Sequence, residues 1–146
     1  MVLKSTLGSC VGLTVFDPVT KFGGLAHILL SNSPKRKSRA NNLYPGTHVE
    51  LAVSYMLEKF KDRNIPISRL EAKIAGGASM FSSSGSKIPV FDIGERNVDK
   101  TVELLRKAGV RIVGRDTGKD IGRTMFLLTN GRVVIREPVS GKERFI

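Results

Sequence analysis

The sequence predicts an α+β domain, a mixed β-sheet or sandwich flanked by two main helices. Three observations predict it. Apolar, β-branched segments of strand length recur along the chain, and two segments carry apolar residues at helical spacing. Hairpins and strand–helix–strand steps are mixed, so the regular alternation of a parallel α/β sheet is absent. With 146 residues and no linker-like composition, residues 1–146 read as a single domain.

Val11-Gly12-Leu13-Thr14-Val15-Phe16 is the first clear strand and ends at the turn formers Asp17-Pro18. Gly24 to Leu30 reads as a second, able to pair with the first as a hairpin across Asp17–Gly23. Residues 31–46 are polar, basic and Pro/Gly-containing, and read as a long loop. Thr47-His48-Val49-Glu50 has the pattern of a capping box. Val49, Ala52, Val53, Met56, Leu57 and Phe60 then form one apolar stripe that ends at Asn64-Ile65-Pro66. Leu70 to Ile74 alternates as a half-buried strand and runs into Ala75-Gly76-Gly77-Ala78-Ser79-Met80-Phe81, whose glycine pair permits positive φ and a close backbone approach. Ser82–Lys87 is Ser/Gly-rich and reads as a mobile stretch. A second helix is expected from about Glu95 to Ala108, stopped by Gly109. Arg111–Asp116 reads as a strand, and Thr129-Asn130-Gly131 as the turn between strands 124–128 and 132–136.

Composition narrows the function classes. Hydrophobic residues make up 40% and charged residues 25%, close to a soluble globular average. No apolar run approaches the ~20 residues of a membrane span, and the first residues carry no secretory signal pattern, so a cytoplasmic protein without membrane insertion is expected. The single cysteine excludes an intramolecular disulfide and a Cys-rich metal site, and two histidines leave little for a His-based one. The formal charge of +11 favours anionic partners. Its densest cluster, Lys35-Arg36-Lys37-Ser38-Arg39, lacks interleaved aromatic residues and reads as a solvated loop, not a nucleic-acid interface.

Cys10 lies in Leu7-Gly8-Ser9-Cys10-Val11-Gly12, at the entrance to a strand. A lone thiol there is either a small buried hydrophobe or a nucleophile. Glycines at 8 and 12 clear space around the sulfur, so a substrate carbonyl could approach it. His27, in an otherwise apolar strand, is either a satisfied core residue or the base that activates the thiol. Antiparallel pairing of 11–16 with 24–30 permits a Cys–His contact without demanding it. His48, in the first turn of the predicted helix, is read as a surface or packing residue.

Several segments, taken together and in order, resemble the CheD family of chemoreceptor glutamine deamidases. They are Leu7–Gly12, Gly24-Leu25-Ala26-His27, Ala72–Phe81, Ile93-Gly94-Glu95-Arg96-Asn97-Val98, Asp116-Thr117-Gly118 and Gly122-Arg123. The resemblance implies a fold similar to that of glutamine-deamidating bacterial toxins. It also implies deamidation of receptor glutamines to glutamates through a Cys-thioester intermediate, without cofactor. Carried over, Cys10 is the nucleophile and His27 the general base and acid. The implied partners are methyl-accepting chemotaxis receptors as substrate and a CheC-type phosphatase as regulator.

Two departures stand out. The family's threonine falls six residues before the cysteine, where this chain has Lys4; Thr6 has the same parity along an extended strand and is either its stand-in or a merely structural residue. The family's N-terminal strand is expected to be missing or shortened, leaving a sheet edge uncovered. These departures leave a second reading, an adaptor that binds receptors or CheC with little or no catalysis.

Overall fold

The computed structural model describes residues 1–31, 44–79 and 93–146. In chain order these form β1 (Leu3–Leu7), β2 (Val11–Phe16), β3 (Gly23–Ile28), α1 (Val49–Lys61), β4 (Glu71–Gly76), α2 (Ile93–Ala108), β5 (Arg111–Thr117), β6 (Arg123–Leu127), β7 (Val133–Arg136) and β8 (Glu143–Phe145). The architecture is α+β, as the sequence predicts. One four-stranded sheet has the order β3-β2-β4-β5 and the other β1-β6-β7-β8. The second is antiparallel throughout, whereas the first includes the parallel pair β4–β5, joined through α2.

Two apolar clusters fix the layering. Val11, Leu13, Val15, Ile28, Ala72 and Ile74 pack one face of the first sheet against Val53, Phe60, Val98 and Leu105 of the helices. Leu7, Met125, Leu127, Val133 and Ile135 pack the second sheet against Ala75 on the other face. The β3-β2-β4-β5 sheet is therefore the middle layer, and β2 is buried along its whole length. Each fully buried Leu, Ile or Phe side chain in these clusters contributes about 1.5–3 kcal/mol relative to exposure.

The Asp17–Gly23 hairpin and the β6–β7 hairpin form as the sequence predicts. The capping box does not. Thr47 closes a 3₁₀ turn, Pro45–Thr47, and His48 is the extended N-cap, without a side-chain cap bond. The first helical N–H, that of Val49, instead donates to the Leu30 carbonyl at 3.0 Å, beside a short bridge between Leu30 and His48. A backbone acceptor from the end of the β2–β3 hairpin takes the place of the local side chain. His48 is buried in packing at this junction. The strand expected over Gly24–Leu30 ends at Ile28 for the same reason. β1 and β8 are strands that the sequence reading did not assign, and β1 is the edge strand of its sheet. The Lys35–Arg39 cluster and Ser82–Lys87 lie outside the described residues. Among the described residues, no helix is long and apolar enough to cross a membrane.

Asp17 anchors the first hairpin. Its buried carboxylate takes both prongs of the Arg69 guanidinium at 2.7 Å, and it also accepts from the Thr20 hydroxyl and the Val19 and Thr20 N–H groups. The Arg69 fork holds this carboxyl far below the usual carboxylate range, against the opposing effect of burial. A depressed native pKa stabilises the fold above about pH 4, and that contribution is lost as pH falls. The urea midpoint of the wild type is expected to drop below about pH 4. Asp17→Asn should have a lower midpoint at pH 7 and a flatter slope in acid; an unchanged slope would remove Asp17 as the titrating group.

Candidate active site

Cys10 lies in the bend Gly8–Cys10, where the chain crosses from β1 in the outer sheet to β2 in the middle one. Three successive carbonyls of this bend are held from outside it. Gly8 O accepts from Ala78 N at 2.9 Å and Cys10 O from Gly77 N at 2.8 Å, while Ser9 O accepts from the Asn97 side chain at 3.2 Å. The glycine pair after β4 makes this possible. Gly76 and Gly77 have φ of +97° and +65°, and a Cβ on Gly76 would overlap the Cys10 carbonyl. The close approach anticipated for these glycines is an approach to the backbone of Cys10.

His27 stands opposite Gly12 in the β2–β3 ladder. A Cβ on Gly12 would press on Leu7 and Met125, so that position faces the outer sheet. Cross-strand partners share a face, and the His27 ring accordingly meets Ser5 of β1, with Nδ1 2.8 Å from Oγ. Cys10 is the last residue of the bend before β2, and Val11, which follows it, pairs with Ile28, the residue after His27, so the bend opens at the end of β3 that carries His27.

Burial raises the Cys10 thiol above its ordinary pKa, opposed by its own backbone N–H. Burial also lowers His27, which disfavours the imidazolium. Each shift, taken alone, favours the neutral form of its group.

Thr6 does not join this group. Its hydroxyl pairs with that of Thr124 at 3.3 Å on the exposed side of the outer sheet. The parity inference was sound in itself, because Lys4 and Thr6 do share a face. That face points to solvent, and Ser5 and Leu7 point inward. The structure brings Ser5, not Thr6, to His27. The signal available in the sequence was the alternation Leu3-Ser5-Leu7, which places Ser5 among inward-facing residues.

A second set of contacts supports the bend from behind. Arg123, at the start of β6, is 1% exposed and reaches Asp116 together with the Gly118 and Ile121 carbonyls. Arg144 grips the other oxygen of Asp116. The segment so fixed bonds the segment after β4, through Gly118 N to Gly76 O at 2.9 Å and Ser79 N to Lys119 O at 2.7 Å. Arg123 thereby buttresses the glycine pair, and the glycine pair holds the Cys10 bend. An apolar groove of about 330 Å³ runs between β3 and α1, lined by Phe22, Met56 and Phe60 among others, and His27 is part of its lining.

Comparison with known proteins places this chain in a family. The family profile described as "CheD chemotactic sensory transduction" matches residues 29–137. The chain is 42% identical over 132 residues to a probable chemoreceptor glutamine deamidase CheD of Caldanaerobacter subterraneus subsp. tengcongensis, covering 89% of this chain and 78% of that protein. It is 42% identical over 137 residues to the probable chemoreceptor glutamine deamidase CheD of Pyrococcus horikoshii, covering 93% and 82%. It is 36% identical over 144 residues to the chemoreceptor glutamine deamidase CheD of Thermotoga maritima, covering 98% and 85%. With the profile spanning the middle and C-terminal elements and the relatives aligned over most of the fold, the chain belongs to the CheD family.

Proposed function

We propose that this protein hydrolyses glutamine side chains to glutamate on the cytoplasmic helices of chemotaxis receptors, with Cys10 as nucleophile, His27 as base and Ser5 as the residue that orients His27. The observation that carries the reading is the Ser5–His27 hydrogen bond, made between the two sheets at the end of β3 beside the Cys10 bend. With Nδ1–H donating to Ser5 Oγ, Nε2 keeps its lone pair and can take the Cys10 proton. The sulfur attacks the carboxamide carbon, forming a C–S bond while the C=O electrons move to oxygen. Collapse of that intermediate breaks the C–N bond, and the imidazolium returns its proton to the leaving ammonia. Water, deprotonated by His27, then opens the thioester and releases glutamate and the thiol. The adaptor reading arose from Lys4 and from the shortened N-terminal strand; against the first of these grounds, Ser5 brings a hydroxyl to His27 from the position next to Lys4. A CheC-type phosphatase remains the regulatory partner that the family reading implies.

The protein is incubated with a receptor cytoplasmic fragment and the fragment is weighed by mass spectrometry. A gain of about 1 Da per modified glutamine is expected from the wild type, and its absence would sink the reading. In the same assay Ser5→Ala should lower kcat by about 10–100-fold through loss of the oriented imidazole, Ser5→Thr should retain most of it, and Thr6→Ala should stay within about twofold. Equal losses in Ser5→Ala and Thr6→Ala would remove Ser5 from its role.

A further inference from the structure

Asn97 is 0% exposed, on a face of α2 otherwise carrying Val98, Thr101, Val102 and Leu105. Its side-chain nitrogen spans two backbone carbonyls from different segments. One is Ser9 O at 3.2 Å, immediately before Cys10, and the other is Leu29 O at 3.0 Å, two residues past His27. Both acceptors are carbonyls, so the NH₂ group must be the end that faces them. The other end, Oδ1, is buried with no partner among the described residues. A position selected for packing alone would carry another Val or Leu and avoid that cost.

The Ser9 contact has a directional effect. A peptide unit is planar and trans, so the N–H of Cys10 points opposite to the carbonyl of Ser9. Tying that carbonyl to α2 turns the Cys10 N–H away from the helix, in the residue that carries the sulfur. A carbonyl carbon attacked by that sulfur would have its oxygen beside the same N–H. The Leu29 contact meanwhile fixes the end of the segment that carries His27.

We infer that Asn97 is a positioning residue: one buried amide holds the nucleophile bend to the base-bearing segment and aims the Cys10 N–H at the oxygen of the carbonyl under attack. The inference rests on the deamidase reading. Asn97 touches neither sulfur nor ring and acts through two carbonyls.

The test uses the full chain with the receptor fragment, comparing Asn97→Ala and the isosteric Asn97→Asp with Thr101→Val. Thr101 lies on the same helix face, and its hydroxyl donates to the backbone carbonyl of Asn97 at 2.7 Å, so its loss perturbs the helix without removing either amide contact. Both Asn97 variants should lose about 10²-fold in kcat with KM within about threefold. Thr101→Val should keep kcat within about threefold while its Tm falls. Asn97 variants with near wild-type kcat would overturn the inference. So would a matching loss of kcat in Thr101→Val, or failure of both Asn97 variants to fold, which would make Asn97 a folding residue. A wild type without any deamidation would instead remove the underlying reading and this inference with it.

Discussion

Cys10→Ala is expected to abolish glutamine deamidation, with a fall in turnover on the order of 10⁴–10⁶-fold, because the nucleophile and its base act as one unit. The loss should come without unfolding. Cys10 is only partly buried and its neighbours are held through backbone carbonyls, which alanine leaves in place. Circular dichroism and Tm should therefore match the wild type closely while the mass gain disappears. Activity persisting in this variant would refute the thioester route.

The protonation states make this prediction sharper. Burial lifts the thiol and depresses the imidazole, so on the proposed mechanism both groups start neutral and proton transfer is expected to accompany attack. Alkylation of Cys10 by iodoacetamide at pH 7 should accordingly be slower than that of free cysteine, rising only as pH climbs past the ordinary thiol range of about 8.5. Faster alkylation than free cysteine would mean a preformed thiolate–imidazolium pair and would overturn the neutral resting state. For the same reason, the acid limb of the rate profile should lie below about pH 6.5, since His27 remains neutral to lower pH than a free imidazole.

The second large effect is on stability. Arg123→Leu is expected to cost about 3–5 kcal/mol, since it removes one partner of a buried ion pair and strips carbonyls of their donor. Against a typical total of about 5–15 kcal/mol, that is a large share. Arg144 still faces Asp116 in the variant, but it reaches neither the Gly118 nor the Ile121 carbonyl, which Arg123 serves. Arg123→Lys should recover little, because a single ammonium cannot reproduce the fork that meets the Asp116 carboxylate and three backbone oxygens at once. Urea unfolding with an unchanged m-value checks the size of the effect. A midpoint shift equivalent to less than about 1 kcal/mol would show that solvent or Arg144 compensates.

Local pattern was enough for elements whose stabilising contacts lie near in sequence. The β2–β3 and β6–β7 hairpins carry their turn chemistry with them, and the stripe from Val49 to Phe60 sets α1 whatever it packs on. β1 was harder to read because Lys4 and Thr6 are polar and its pairing partner is β6, at the far end of the chain. The start of α1 was misread because Leu30, remote in sequence from Val49, supplies the acceptor. Cys10 and His27 could be named from flanking glycines and family resemblance; His27 lies in the β2–β3 ladder opposite Gly12, and Cys10 in the bend just before that ladder starts. Ser5 could not be separated from Thr6 without knowing which face of β1 meets the middle sheet. Asn97 had one visible mark, a polar side chain on the same helix face as Val98, Val102 and Leu105.

The β1–β6 ladder has a temporal consequence. Leu3 pairs with Leu127 and Leu7 with Arg123, so the strand bearing Ser5 has its only ladder partner among the described strands near the other end of the chain. During synthesis Cys10, His27 and Asn97 emerge before that partner exists. Closing so long a loop comes at an entropic disadvantage that only the finished outer sheet repays. The Ser5–His27 contact should therefore be among the last to form, and a nascent chain stopped before β6 should hold its nucleophile without an oriented base.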